Sequence, residues 1–210
     1  MRKALFLTLV PLLLAEGCSK PKEVPREPLR HPGSTLEAKV RLDEIHCYQS
    51  GISPEYRALL DTISWAEGAD YDTLYGGKTF ADLSRHPSIE VTKWGHTSTA
   101  AGRYQIVKRT ARMLKEKGLL QSMEPDEQDK AAIYLFEQKG INQRMIEDAI
   151  VLGDFAEVWD RLAPIWASFP TSTNPGGKYG QAHIPARELK QQFYLFYAEE
   201  RKNPCEKNVY

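Results

Sequence analysis

The chain has 210 residues, 41% hydrophobic and 10% aromatic, which supplies apolar material for one packed domain with an appendage. Its 28 basic and 28 acidic side chains cancel to a formal net charge of zero, so no global field favours nucleic acid as a partner.

The first element is a leader. Arg2-Lys3 precede an apolar run from Ala4 to Ala15, then Gly17-Cys18. A basic start, a short apolar stretch and small residues before a cysteine predict a signal peptide over residues 1–18, too short to span a bilayer. Its end resembles a bacterial lipobox, which implies lipidation of Cys18 and a membrane partner through that anchor. Ser19 fits the outer-membrane sorting class, so the chain is expected on the periplasmic face of the envelope. Glu16 departs from the lipobox pattern, and an ordinary cleaved signal is the alternative. Residues 19–45, with Lys20-Pro21-Lys22-Glu23-Val24-Pro25 and Pro32-Gly33-Ser34, read as an extended, solvated spacer. The folded domain is expected over residues 46–206. Cys47 and Cys205 flank it, and an oxidising compartment permits a disulfide between them, contributing about 4 to 5 kcal/mol at most; two free thiols are the alternative.

The domain opens on a helix. Ser53 suits an N-cap, Pro54 the first turn and Glu55 the positive end of the dipole. Tyr56, Leu60 and Ile63 then recur at helical spacing, and the stripe next reaches Glu67, with Gly68 placed to stop the helix. A carboxyl on the continuation of an apolar face loses solvent, and the C-terminal end of the dipole disfavours its charge. Both push its pKa up, towards the range of a general acid. The alternative is a solvated glutamate on a fraying turn. After Glu67 the period changes. Tyr71–Tyr75 and Lys78–Leu83 predict a hairpin about Gly76-Gly77, with a third strand near Ile89–Thr92. Gly95–Gly102 reads as a polar loop. Helices are predicted over residues 104–117, 126–139, 142–151, 154–168 and 185–200, with Pro164 kinking or splitting the fourth. An α+β fold follows: a mostly helical lobe, a small antiparallel sheet, and a cleft between them with the acid in its floor.

Polar and aromatic residues accumulate where packing does not require them, in Ser98-Thr99-Ala100-Ala101-Gly102-Arg103-Tyr104-Gln105, Trp166-Ala167-Ser168 and Tyr179-Gly180-Gln181. Aromatic faces with amides suit carbohydrate. Together with Trp65-Ala66-Glu67-Gly68, Gly76 to Pro87 and Ile165 to Pro170, these blocks resemble the bacteriophage lambda endolysin family, in order from about residue 53 to 197. The resemblance implies a lysozyme-like fold and lytic transglycosylase activity on the bond from N-acetylmuramic acid to N-acetylglucosamine in peptidoglycan, leaving a 1,6-anhydromuramoyl end. It places the family's single catalytic glutamate on Glu67. Tyr104 and Gln105 are then expected to line the cleft, Ser98 and Thr99 its rim, and Tyr179 and Gln181 the helical side, all as contacts to the glycan strand.

A hydrolase ordinarily uses two carboxylates. Asp70, Asp72 and Asp82 are the nearby candidates, with Asp82 expected to brace the small sheet or its turn. A lysozyme-type muramidase using Asp70 or Asp72 is therefore one alternative, and a non-catalytic peptidoglycan-binding lipoprotein another. The exported form suits local opening of the wall, including for an envelope-spanning machine. No cofactor is expected, and no metal: His31, His46, His96 and His183 are scattered, while His86 reads as a hydrogen-bonding structural residue. Lys93, Lys108, Arg109 and Arg112 read as solvated helix charge, with acidic wall polymer as the alternative contact.

Overall fold

In the computed structural model the described residues are 51–173 and 184–202. Cys18, Cys47, Cys205, Tyr179 and Gln181, with the leader and the spacer, lie outside them. Six helices and one hairpin follow in order: α1 (Pro54–Glu67), β1 (Val91–Lys93), β2 (His96–Ser98), α2 (Lys108–Glu116), α3 (Pro125–Glu137), α4 (Gln143–Leu152), α5 (Ala156–Leu162) and α6 (Ala186–Glu200).

Helix α1 is delimited as its sequence predicts. The Ser53 hydroxyl accepts from the Tyr56 amide at 3.4 Å, Pro54 occupies the first turn, and Gly68 adopts the left-handed conformation (φ 63°). That conformation is cheap only for glycine, and it lets the Gly68 amide close on the Ser64 and Trp65 carbonyls. Ala58, Leu59, Leu60 and Ile63 are fully buried. α1 packs along α6 over the greatest length and also touches α3 and α4. Phe136, Phe169 and Phe193 complete the core around it. Each fully buried aromatic contributes roughly 1.5–3 kcal/mol of apolar transfer.

The small sheet differs from the prediction. Antiparallel strands β1 and β2 pair Val91 with Ser98, Thr92 with Thr97 and Lys93 with His96. The turn is Trp94-Gly95, both with positive φ (51° and 81°), the two-residue pattern whose twist matches the flanking strands. Gly76-Gly77 does turn the chain, but its flanks make only the isolated Thr73–Thr79 bridge. Leu74 also pairs with Ala101, which in turn pairs with Ile106. The distant pairing adds to the local one: across the Gly76-Gly77 turn the Leu74 amide still donates to the Lys78 carbonyl at 2.6 Å and the Phe80 amide to the Asp72 carbonyl at 2.9 Å. β2, which falls in the predicted polar loop, is held by a Thr92–Thr97 hydroxyl contact at 2.8 Å.

Two helix boundaries also move. The helix predicted from residue 104 starts at Lys108, because Gln105 has φ 46° and Ala101–Ile106 forms a tight bridged turn. The helix predicted over 154–168 ends at Leu162, two residues before Pro164. Residues 163–169 continue as short turns, with Trp166 and Phe169 buried.

Candidate active site

Glu67 is the last residue of α1 and is half-buried. Burial pushes its carboxyl from 4.5 up to about 7, against the opposing hydrogen bond from Ser168. The Ser168 hydroxyl donates to Glu67 Oε1 at 2.6 Å. Ser168 is itself well held: its carbonyl accepts from the Ile184 amide at 2.9 Å, and its neighbour Phe169 is fully buried. Two residues earlier, the buried Trp166 indole donates to the Tyr104 carbonyl at 2.8 Å. The turn after α5 therefore delivers a hydroxyl to the acid while staying anchored in the core. The Ser64 hydroxyl, donating to the Ala69 carbonyl at 2.8 Å, steadies the helix end from the other side.

The other predicted contacts fare differently. Tyr104, expected to line the cleft, is fully buried, and its hydroxyl donates to Asp129 at 2.5 Å. It is a core residue, and burial pushes its phenol pKa further up. Gln105 is half-buried, and its side-chain nitrogen donates to the Thr73 and Gly102 carbonyls at 3.1 and 2.9 Å. Ser98 accepts from the Ala100 amide at 3.1 Å, and Thr99 accepts from the Lys108 amide at 3.0 Å, at the start of α2. These hydroxyls shape the loop locally.

Of the candidate second carboxylates, Asp70 accepts from the adjacent Tyr71 amide at 2.8 Å. Asp82 accepts from the Ser84 amide and hydroxyl at 3.0 and 2.5 Å, which hold its pKa below the usual carboxylate range. Asp82 thus braces a turn, as expected. His86 lies between Ser88 and the Ile106 carbonyl, which its Nε2 meets at 2.8 Å. Burial lowers its pKa. Among the described residues no His, Cys, Asp and Glu side chains gather as a metal site.

A buried polar cluster that sequence reasoning missed joins the turn segment to α1 and α3. Asp129 accepts from Tyr71 and Tyr104, and Arg103 donates to Tyr71 at 3.0 Å and to Asp61 of α1. Gln128, fully buried, accepts from the Arg103 amide at 2.9 Å and donates to the Tyr71 carbonyl at 2.9 Å. This cluster ties α1, the turn segment and α3 together. The signal was available: Asp129, Ala132 and Phe136 share one stripe of α3, so a carboxylate sits on an apolar face, as Glu67 does.

The family model described as Endolysin matches residues 57–198. The endolysin of Escherichia phage lambda is 33% identical over 153 residues, covering 68% of this chain and 90% of that protein. A structure of bacteriophage lambda lysozyme complexed with a chitohexasaccharide superposes with a TM-score of 0.59 at 32% identity, over 69% of this chain and 95% of that one. A second lambda lysozyme structure gives a TM-score of 0.55 at 27% identity, covering 72% and 95%. The helix-terminal acid thus stands in a lysozyme-like α+β fold, and the chain belongs to the Endolysin family.

Proposed function

We propose that this protein is a peptidoglycan lytic transglycosylase with Glu67 as its only catalytic carboxyl. Membership of the Endolysin family supports a lysozyme-like enzyme that cleaves peptidoglycan, and the neighbour holding a chitohexasaccharide supports glycan strands as its substrate. The finer reading rests on one observation: the partner of the Glu67 carboxyl is the Ser168 hydroxyl, while the Asp70 and Asp82 carboxylates are engaged by their own loops. A lone acid suffices when the substrate supplies the nucleophile.

Glu67 in its protonated form gives its proton to the glycosidic oxygen as the bond from C1 breaks. The resulting carboxylate takes the proton of the muramic acid C6 hydroxyl, and that oxygen bonds to C1. The anhydro ring closes, Glu67 is protonated again, and no water is consumed. Gln105, Ser98 and Thr99, with Tyr179 and Gln181 from the segment beyond α5, are the proposed glycan contacts. Tyr104 supports them from the core.

Mass spectrometry of soluble products from purified sacculi tests this reading. Anhydromuropeptides from the wild type and none from Glu67→Gln are expected. Reducing-end products alone would establish a muramidase and direct attention to Asp72. A folded protein that binds sacculi but releases nothing would establish a wall-binding module.

The same proposal places the domain outside the inner membrane, tethered through Cys18 by the spacer and closed by a Cys47–Cys205 bridge. Such a tether limits cutting to nearby wall, as remodelling or the passage of an envelope machine requires. Cys18→Ser is expected to move the protein from the membrane to the soluble fraction. Unchanged fractionation would refute the anchor.

A further inference from the structure

A cavity of about 580 Å³ opens on the flank of α2, and neither Glu67 nor Ser168 lines it. Lys108, Arg109, Arg112 and Lys115 of α2 form one wall, and Arg85 joins them from the loop before β1. The apolar part of the lining is Ala111 and Leu120, both nearly inaccessible.

This cationic lining is poorly neutralised. Arg85 meets Asp82 at 3.6 Å and Arg112 meets Glu116 at 4.0 Å, in exposed pairs that contribute little. Among the described residues Lys108, Arg109 and Lys115 make no ion pair. Lys108 and Arg109 also occupy the first turn of α2, which contains no acidic residue and has no side-chain cap at Val107. Cations there oppose the helix dipole, and Lys108 and Arg112 repel each other at four-residue spacing. A face arranged against its own helix is suited to an anion from outside.

The spacing favours a peptide over a phosphate. From Lys108 to Lys115 the stripe rises roughly 10 Å, with charges about one turn apart. A phosphate is held by donors converging on one point, whereas carboxylates distributed along a peptide match a row. We propose that this cavity binds the short acidic peptide stem borne by the glycan strand, with its carboxylates on the α2 cations. The identity of the peptide rests on the peptidoglycan reading above.

Calorimetric titration of the full chain with a free stem tetrapeptide of two alanines, a γ-linked glutamate and a diamino acid tests this directly. Inorganic phosphate and vesicles of anionic phospholipid serve as comparison probes. The variant is Lys108→Gln/Arg109→Gln/Arg112→Gln, which keeps good helix formers; Arg109→Gln alone is used should the triple variant fail to melt cooperatively. Saturable tetrapeptide binding is expected, weakened at least tenfold in the triple variant and at least threefold in the single one. It should also weaken between 0.1 M and 1 M salt, where the screening length falls from about 10 Å to about 3 Å. Cleavage of peptide-free glycan should remain at the wild-type rate in either variant. No tetrapeptide binding, equal binding by variant and wild type, or preference for phosphate or vesicles would each overturn the proposal. Titration does not depend on turnover, so its failure leaves Glu67 chemistry standing. Binding without cleavage would sink only the enzymatic reading.

Discussion

Glu67 pairs a high pKa with a hydroxyl partner, and the two have opposite effects that can be separated. Burial raises its pKa to about 7, and the Ser168 hydrogen bond favours the ionised form. A general acid must begin protonated, so cleavage is expected to fall as pH rises through about 7. Ser168→Ala removes the bond that favours ionisation, so the alkaline limb of its pH–rate profile should move to higher pH. An unmoved limb would separate Ser168 from the acid. The same carboxyl burdens the fold. Between pH 4.5 and about 7 the native chain keeps a proton that the unfolded chain releases, so stability contributed by this group declines as pH rises through that window. Above it, ionised Glu67 costs up to about 3 kcal/mol. Glu67→Gln should therefore melt higher than wild type at pH 8 and nearly alike at pH 4, while losing all cleavage.

The turn between β2 and α2 depends on a glycine and on the α3 cluster behind it. Gly102 has φ +77°, and a methyl there would stand 2.7 Å from Met123 Cε and 2.9 Å from Gln128 Cδ. Gln128 cannot easily yield, because its amide joins the Arg103 nitrogen to the Tyr71 and Met123 carbonyls. Gly102→Ala thus combines positive-φ strain with loss of a buried hydrogen-bond group, for a cost of about 2–4 kcal/mol in denaturant unfolding. Helix α1 was legible because cap, proline, stripe and glycine stop agree within the sixteen residues from Ser53 to Gly68. The Gly76-Gly77 hairpin was legible in part: its turn and the Thr73–Thr79 bridge form, but Leu74 also pairs with Ala101, and no local pattern at residues 71–83 encodes that partner. Tyr104 was misplaced for a related reason. The family resemblance placed it on the cleft, but Asp129 of α3 and Trp166 of the turn after α5 hold it in the core.

Across the molecule, α1 and α6 are fastened by more than apolar contact. Arg57 donates to Glu200, both nearly inaccessible, and Tyr197 donates to Glu55 at 3.0 Å. Removing one partner of a buried pair strands the other charge, so Glu200→Ala is expected to cost about 3 kcal/mol. Arg57→Met/Glu200→Leu should recover most of that loss. Urea midpoints for the two variants check it, and equal destabilisation would show that the pair itself supplies net stability. Asp126→Ala, which breaks an exposed pair with Lys130, should move the midpoint by no more than about 1 kcal/mol.

The helix that presents the acid, the positions of most other helices and the upward direction of the Glu67 pKa were legible in the sequence alone, because caps, apolar period and dipole all act within one segment. Tertiary structure decided the hydroxyl beside the acid, the burial of Tyr104 and the basic cavity on α2. Each depends on residues distant in the chain meeting in space: Ser168 is 101 positions from Glu67, and Arg85 faces the α2 cations across the whole hairpin. Local periodicity reports which face of an element turns inward, but only packing selects what it meets there.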